Sequence, residues 1–371
     1  MTQRLLLLGG GHAHVQVLQA FAQRPVPGLE LTLLTPHAPQ VYSGMVPGVL
    51  AGHYALDQAL IDLPPLAHAA GARWLQDAAV GLDASARRVR LAQGGKLPYD
   101  WLSLDTGAVM RPDRLPGAAA HALFVRPMER FVQQLPELLQ RAAQQPLQLA
   151  VLGGGAAGAE LAMAMRYRLD ASGAVAARSP VTLLAGNAGL LAGHAPAVRR
   201  HVDRALATAG IEVLAERCTA IECDRLQLAD GRWRACDAAI VATGAEAPSW
   251  LSSSGLALDA EGFVLTGPTL QSVSHPEVSA AGDVATRADA PHAKSGVYAV
   301  RAGPPLAANL RALGEGRALQ TYTPQPRTLN LIACGGRTAV ASWGGMSAQG
   351  AWVWRWKDRI DRAFIARFQR T

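Results

Sequence analysis

Two copies of one local pattern govern what this chain can fold into. Each is an apolar strand, a glycine-rich turn and the start of a helix. Leu5 to Leu8 run into Gly9, Gly10 and Gly11, and Leu149 to Leu152 run into Gly153, Gly154 and Gly155. Glycine has no Cβ, so such a turn lets backbone amides and a positive helix end approach a pyrophosphate closely. The second copy is a complete G-x-G-x-x-G, with Gly153, Gly155 and Gly158. In the first copy Gly9 and Gly11 fill the first two positions and His14 stands in the third. The first glycines lie 144 residues apart, which predicts two dinucleotide-binding units in one α/β chain.

The segments after each turn run in parallel. Residues 29–35 read as a second strand ending in Thr35, and residues 181–185 as its counterpart ending in Ala185. Dinucleotide sites usually place an acidic residue at that strand end to hold the adenosine ribose, and neither copy has one. No arginine follows Ala185 closely, so NADH and NADPH both stay open. Short strand-like runs between 72 and 91 lead to residues 99–107, which end in Thr106-Gly107. Residues 233–244 echo them and end in Thr243-Gly244. A later strand ends in Gly282-Asp283, where a carboxylate suits sugar-alcohol hydroxyls. The run from Lys294 through Gly296 and Val297 leads into a helix expected from about Ala299. Residues 41–54, including Ser43, are too irregular for a plain helix and read as a loop packed beside the bound cofactor.

Composition narrows the class. Half of the 371 residues are apolar, enough for two or three cored domains. The net charge of +7 is compatible with nucleic acid, an anionic membrane surface or polyanionic cofactors and does not choose between them. With two dinucleotide motifs in the chain, no nucleic-acid partner is expected. The four cysteines, Cys218, Cys223, Cys236 and Cys334, form no C-x-x-C pair. A disulfide framework and a metal site are therefore not expected, and a reducing cytoplasm is. No run reaches the roughly 18 to 20 apolar residues that span a bilayer.

The order of these motifs resembles the two-dinucleotide-binding flavoproteins, the pyridine nucleotide-disulfide oxidoreductase superfamily. The match is closest to type II NADH dehydrogenases and to the flavoprotein-like domain fused to selenide, water dikinase. The Gly-Gly-Gly-His-Ala-His start, the Tyr-Ser-Gly-Met-Val-Pro-Gly loop and the Lys-Ser-Gly-Val-Tyr-Ala-Val-Arg-Ala-Gly-Pro run are similar to that last branch. The resemblance implies two Rossmann-like (three-layer ββα) domains and a small C-terminal region. FAD would bind residues 1–112 and 265–322, NADH or NADPH would bind 113–264, and 323–371 would form the terminal region.

Position by position, it implies that Gly9, Gly11, His12 and Ala13 meet the FAD pyrophosphate, with His14 as a further contact. Thr35 and Pro36 would lie at the adenosine and the Val80 backbone at the adenine. Ser43, Thr106, Gly107, Gly296 and Val297 would lie beside the cofactor, and Gly282 and Asp283 at the ribityl chain. Gly153, Gly155, Ala156, Ala157 and Gly158 would hold the nicotinamide dinucleotide, beside Thr243 and Gly244. Glu160 matches the acidic residue near the meeting of the two rings, and Lys294 is the candidate charge facing the flavin. Disulfide reductases of the superfamily carry a cysteine pair shortly after the first motif. Residues 37–60 contain no cysteine, which excludes dithiol chemistry on residue type. Sulfide oxidation is disfavoured too, since Cys334 alone is placed for it.

In the tail, Trp352, Trp356, Ile360, Phe364 and Phe368 recur every four residues, among six cationic and two acidic side chains from Arg355 to Arg370. This reads as an amphipathic helix lying on the cytoplasmic face of the inner membrane, or packing on its own protein or a second subunit. A homodimer stays open. The leading expectation is an FAD-dependent NAD(P)H dehydrogenase that passes electrons to a quinone or similar acceptor. The alternative is a flavin-binding accessory module with little or no NADH turnover.

Overall fold

The structure is a computed structural model describing residues 2–369. Two five-stranded parallel sheets dominate it. The first runs Val278–Ala280, Trp101–Leu104, Gln3–Leu8, Leu29–Leu34, Arg73–Leu75. The second runs Ala122–Phe124, Ala238–Val241, Leu149–Leu152, Val181–Leu184, Glu212–Leu214. Both faces of each sheet are covered, so their strands are continuous apolar runs: Leu5 and Leu7 pack on helices, Leu6 and Leu8 on the antiparallel strands of residues 79–98, and Leu5 to Leu8 are all buried. Each sheet is accompanied by a three-stranded antiparallel sheet, residues 79–98 in the first unit and 218–235 in the second. The chain is thus α/β with two Rossmann-like units.

Register brings the ends of the central strands together. Leu8 is level with Leu34 on one side and Leu104 on the other. Leu152 is level with Leu184 and Val241 in the same way. The strand order reverses about each central strand, so each glycine turn sits in the crevice that opens at a topological switch point.

Residues 41–54 are more regular than their composition suggests. A short 3-10 turn, Ser43–Met45, leads into the α-helix Val46–Ala51. Pro47 stands in its first turn, where it is tolerated, and Gly52 ends it at φ +82°. This helix packs on Ala156–Ala171, the helix of the second glycine motif, and Leu50 and Ala51 join the core around it. The helix expected from Ala299 begins earlier, at Gly296, because Ser295 caps it by accepting the Val297 amide.

The C-terminal region is a three-stranded antiparallel sheet, Leu329–Ala333, Ala339–Trp343 and Met346–Gly350, followed by the helix Ala351–Ile365. The apolar stripe of that helix is not one face. Trp352, Trp356 and Ile360 are exposed, whereas Phe364 and Phe368 are buried against the first unit. At about 100° per residue a spacing of four advances about 40° each step, so from Trp352 to Phe364 the stripe winds by about a third of a turn, and Phe368 lies in the turn beyond the helix. The inner face is fixed by polar contacts as well. Tyr42 donates to Asp361 at 3.3 Å, Tyr54 donates to Asp358 at 2.7 Å, and Lys357 pairs with Asp361 at 2.6 Å. No helix among the described residues is long and apolar enough to cross a membrane.

The closeness of the second turn yields a test. A Cβ on Gly158 would fall 1.8 Å from the Gly153 carbonyl oxygen. Gly158→Ala should therefore lower stability by about 1–3 kcal/mol, the usual cost of overpacking, measured by chemical denaturation.

Candidate cofactor site

The first glycine turn works by close approach to its neighbouring strand. Gly9 has φ +92°, and a Cβ there would stand 2.5 Å from the Asp105 carbonyl oxygen. The second turn repeats this: Gly153 has φ +134°, and its Cβ would stand 2.5 Å from the Ala242 carbonyl oxygen. Asp105-Thr106-Gly107 and Ala242-Thr243-Gly244 are thus the same piece of the two units.

The turns differ at their third position. His14 is fully buried; its Nδ1 lies 2.6 Å from the Gly9 carbonyl oxygen and its Nε2 2.8 Å from Ser103 Oγ. The carbonyl only accepts, so Nδ1 donates to it and Nε2 accepts from the Ser103 hydroxyl. Burial pushes the ring's pKa down to about 4, which keeps it neutral. His14 therefore braces the turn from behind, with both nitrogens turned to protein.

Around this turn lies a cleft of about 470 Å³. Gly9, Gly11, His12, Thr35, Pro36, Ser43, Thr106, Gly107, Asp283 and Gly296 line it. Ala13 and His14 lie beneath the turn, Gly282 underlies Asp283, and Val297 follows Gly296 outside the lining. Val80 is exposed and outside the cleft; its neighbour Ala79 lines it instead. Lys294 is also placed elsewhere. Its Nζ donates to the Ala285 carbonyl and, at 2.7 Å, to Thr286 Oγ1, and lies 3.9 Å from the Phe263 ring centre. The backbone of Ala285 claims the ammonium, so it does not reach the cleft.

The cation that does line the cleft is Arg126, which pairs with Asp283 at 2.7 Å. His12 separates the cleft from the terminal helix: its ring is stacked on Phe364 at 6.3 Å, and Ser43 Oγ lies 3.3 Å from its Nε2. Burial, with Arg126 nearby, lowers its pKa to about 4.

The second set gathers at the other turn. Gly155 precedes the helix Ala156–Ala171 and supplies no side-chain cap, and Gly155 and Ala157 are exposed. No protein acceptor meets the amides of Ala156, Ala157 or Gly158 among the described residues. Thr243 and Gly244 lie exposed beside them. One turn further along, Glu160 accepts the Ala333 amide at 2.8 Å. Burial raises its carboxyl to about 7, opposed by Lys357 and that amide. Glu160 thus stands where the second motif's helix, the C-terminal sheet and the terminal helix meet. Cys334, beside it, is pushed up to about 12 by burial and stays a thiol.

The sequence matches the family described as "Pyridine nucleotide-disulphide oxidoreductase" over residues 3–307. The chain belongs to this family. Its members bind FAD and NAD(P)H, so the chain is an NAD(P)H-dependent flavin oxidoreductase. Solved structures share the fold across almost the entire chain. A sulfide:quinone oxidoreductase from Aquifex aeolicus has TM-score 0.80 and 17% identity, covering 99% of this chain and 92% of that one. NDH2 from Plasmodium falciparum, in complex with NADH, has TM-score 0.80 and 12% identity, covering 100% and 98%. A ferredoxin reductase from Rhodopseudomonas palustris has TM-score 0.73 and 20% identity, covering 92% and 88%. No curated protein matches the chain in sequence.

The first cleft fits FAD on its own evidence. Besides the room beside Gly9, it holds two buried polar atoms without a protein partner among the described residues, Thr106 Oγ1 and Gln40 Oε1. Orphans of this kind call for a bound group. Reading the sequence did not single out Asp105, Gln40, Arg126 or Trp250, all of which line the cleft. Only Asp105 left a signal, a carboxylate where the second copy has the methyl of Ala242.

Two measurements follow. His14→Gly removes a fully buried ring and leaves Ser103 and the Gly9 carbonyl unpaired, which should cost about 2–4 kcal/mol in denaturant unfolding. For Glu160, the folded pKa lies above the unfolded one, so its contribution falls as pH rises from about 4.5 to 7. Glu160→Gln should therefore melt above the wild type at pH 8 and show no such gain at pH 4.5.

Proposed function

We propose that the protein is an FAD-dependent NAD(P)H dehydrogenase that delivers electrons to a quinone or quinone-like acceptor at a membrane surface. FAD is assigned to the first cleft and the nicotinamide dinucleotide to the second glycine turn. The chemistry these bound groups supply is hydride transfer from nicotinamide to flavin. The chain's part is to hold them. The uncapped amides of Ala156, Ala157 and Gly158 offer a positive helix end to a pyrophosphate. His12, Ser43 and the Arg126–Asp283 pair form the polar wall of the first cleft. Glu160, whose carboxyl is raised by burial to about 7, suits an acceptor whose reduction takes up protons.

The observation that carries the acceptor reading is the outer face of the terminal region. Trp352, Trp356 and Ile360 are exposed, the two tryptophans stack at 6.4 Å, and Arg355 and Arg359 are exposed beside them. Aromatic rings flanked by arginine suit the headgroup layer, with the helix lying on it. The cysteines support neither dithiol nor sulfide chemistry: all four are free, and Cys218, Cys236 and Cys334 are held as thiols by burial.

A second reading, a flavin-binding accessory module with little turnover, is favoured by Thr35 and Ala185 at the ribose-binding strand ends. One experiment separates the two. Under anaerobic conditions NADH or NADPH should bleach the bound flavin and a soluble quinone should restore its colour; flavin that neither nucleotide bleaches would leave the accessory reading. A Trp352→Ser/Trp356→Ser variant should lose most of its co-sedimentation with anionic vesicles while keeping its flavin. Unchanged co-sedimentation would count against the membrane surface.

A further inference from the structure

The two glycine turns present different surfaces to a phosphate. At the second, the amides of residues 156, 157 and 158 are all open. At the first, the equivalent residues are His12, Ala13 and His14, and two of the three amides are taken. Asp105 Oδ2 accepts the Ala13 amide at 2.8 Å and the His14 amide at 2.9 Å. Among the described residues no protein acceptor meets the amides of Gly11 and His12. The carboxyl is nearly fully buried and wedged between two glycines: a Cβ on Gly11 would fall 2.4 Å from its carbon, and one on Gly282 would fall 2.6 Å from Oδ1. Ala242, the matching residue of the second unit, has only a methyl group there.

We propose that Asp105 is a determinant of flavin retention, its carboxyl holding two helix-end amides in place of a phosphate oxygen and, when ionised, opposing the charge of the dinucleotide. The inference rests on FAD occupying the first cleft. A carboxylate and a pyrophosphate at one helix end repel each other, whereas a neutral carboxylic acid accepts the same two amides without that cost. The surroundings favour the neutral form. Burial raises the Asp105 carboxyl to about 8 against the lowering effect of both amides, and Asp283 pushes it further up. The groups facing it are few. From the glycine turn come His12 and His14, both neutral above about pH 4. From the segment after the outer strand comes Asp283, paired with Arg126. On the far side the helix Gly296–Gly314 brings the methyl of Ala299 up to Gly282, 3.4 Å from where a Cβ there would stand. No cation bonds to Asp105 among the described residues.

The test is the affinity of the FAD-stripped full chain for added FAD between pH 6.5 and 9.5. Flavin fluorescence gives the affinity, and quenching of tryptophan emission reports the seat. Trp250 lines the cleft, so the quenching should shrink in a Trp250→Phe variant. Binding by the wild type should weaken on the order of tenfold across this range, as the linkage of a dianion to one ionising acid requires. Asp105→Asn, which still accepts amide hydrogens, should bind FAD with less than about a twofold change over the same range. A flat wild-type profile with the Trp250 signal intact overturns the role of Asp105 while leaving FAD in the cleft. So does an Asp105→Asn variant that keeps the wild-type slope. Unaltered quenching in Trp250→Phe removes the first-cleft assignment and the proposal with it. Should Asp105→Asn not fold, the wild-type profile alone decides.

Discussion

The contact on which the structure depends is backbone against backbone: a glycine at a strand end pressed on the end of the neighbouring parallel strand. Gly9 on Asp105 and Gly153 on Ala242 leave no space for a side chain. That closeness fixes the register of three strands, aims the following helix at the crevice and leaves amides free for a ligand. The cleft, the cofactor class and the two-unit architecture all follow from it. The same contact explains why the third position tolerates different solutions. In the second unit only hydrogen fits at Gly158, whereas in the first His14 reaches back and bonds the Gly9 carbonyl.

The first unit has replaced a van der Waals contact with a polar lock. His14, Ser103, Gly9 and Asp105 form one connected set of hydrogen bonds behind the turn. Such a network is rigid when every member is satisfied and costly when one is removed, because little water reaches it. It ties the shape of the cofactor seat to the protonation of its members, which a glycine–alanine contact does not do. The role proposed for Asp105 implies that the two turns answer differently to pH, although their sequence patterns are nearly the same.

The terminal region connects the units. Its sheet meets the second glycine helix at Glu160, and its helix is bonded to the 42–54 segment through Tyr42 and Tyr54. The inner face of this helix is thus committed to the protein and the outer face to solvent or a surface. Packing on its own protein, one of the descriptions of the tail that the sequence allowed, holds for Phe364 and Phe368, while Trp352, Trp356 and Ile360 of the same stripe stay exposed. A spacing of four residues differs from the helical repeat by a fraction of a turn, and over the four apolar residues inside the helix that difference decides which side each one takes.

The duplicated turn was legible from residue types alone, because only glycine permits the backbone angles and distances involved, and that constraint is local. The same holds for the buried strands, whose apolar runs need no partner to be recognised, and for the lack of a cysteine pair near the first motif. What surrounds the turn was not legible. Asp105, Arg126 and Lys294 are all ionisable residues near motif positions, yet one lies behind the turn, one lines the cleft and one is claimed by the Ala285 carbonyl. Their roles depend on which backbone groups distant segments bring within about 3 Å, and on how much water is excluded there. Sequence by itself determined the two-unit frame and its ligand class; the tertiary structure decided which side chains line the cleft and which are tied up behind it, because those are properties of long-range contacts.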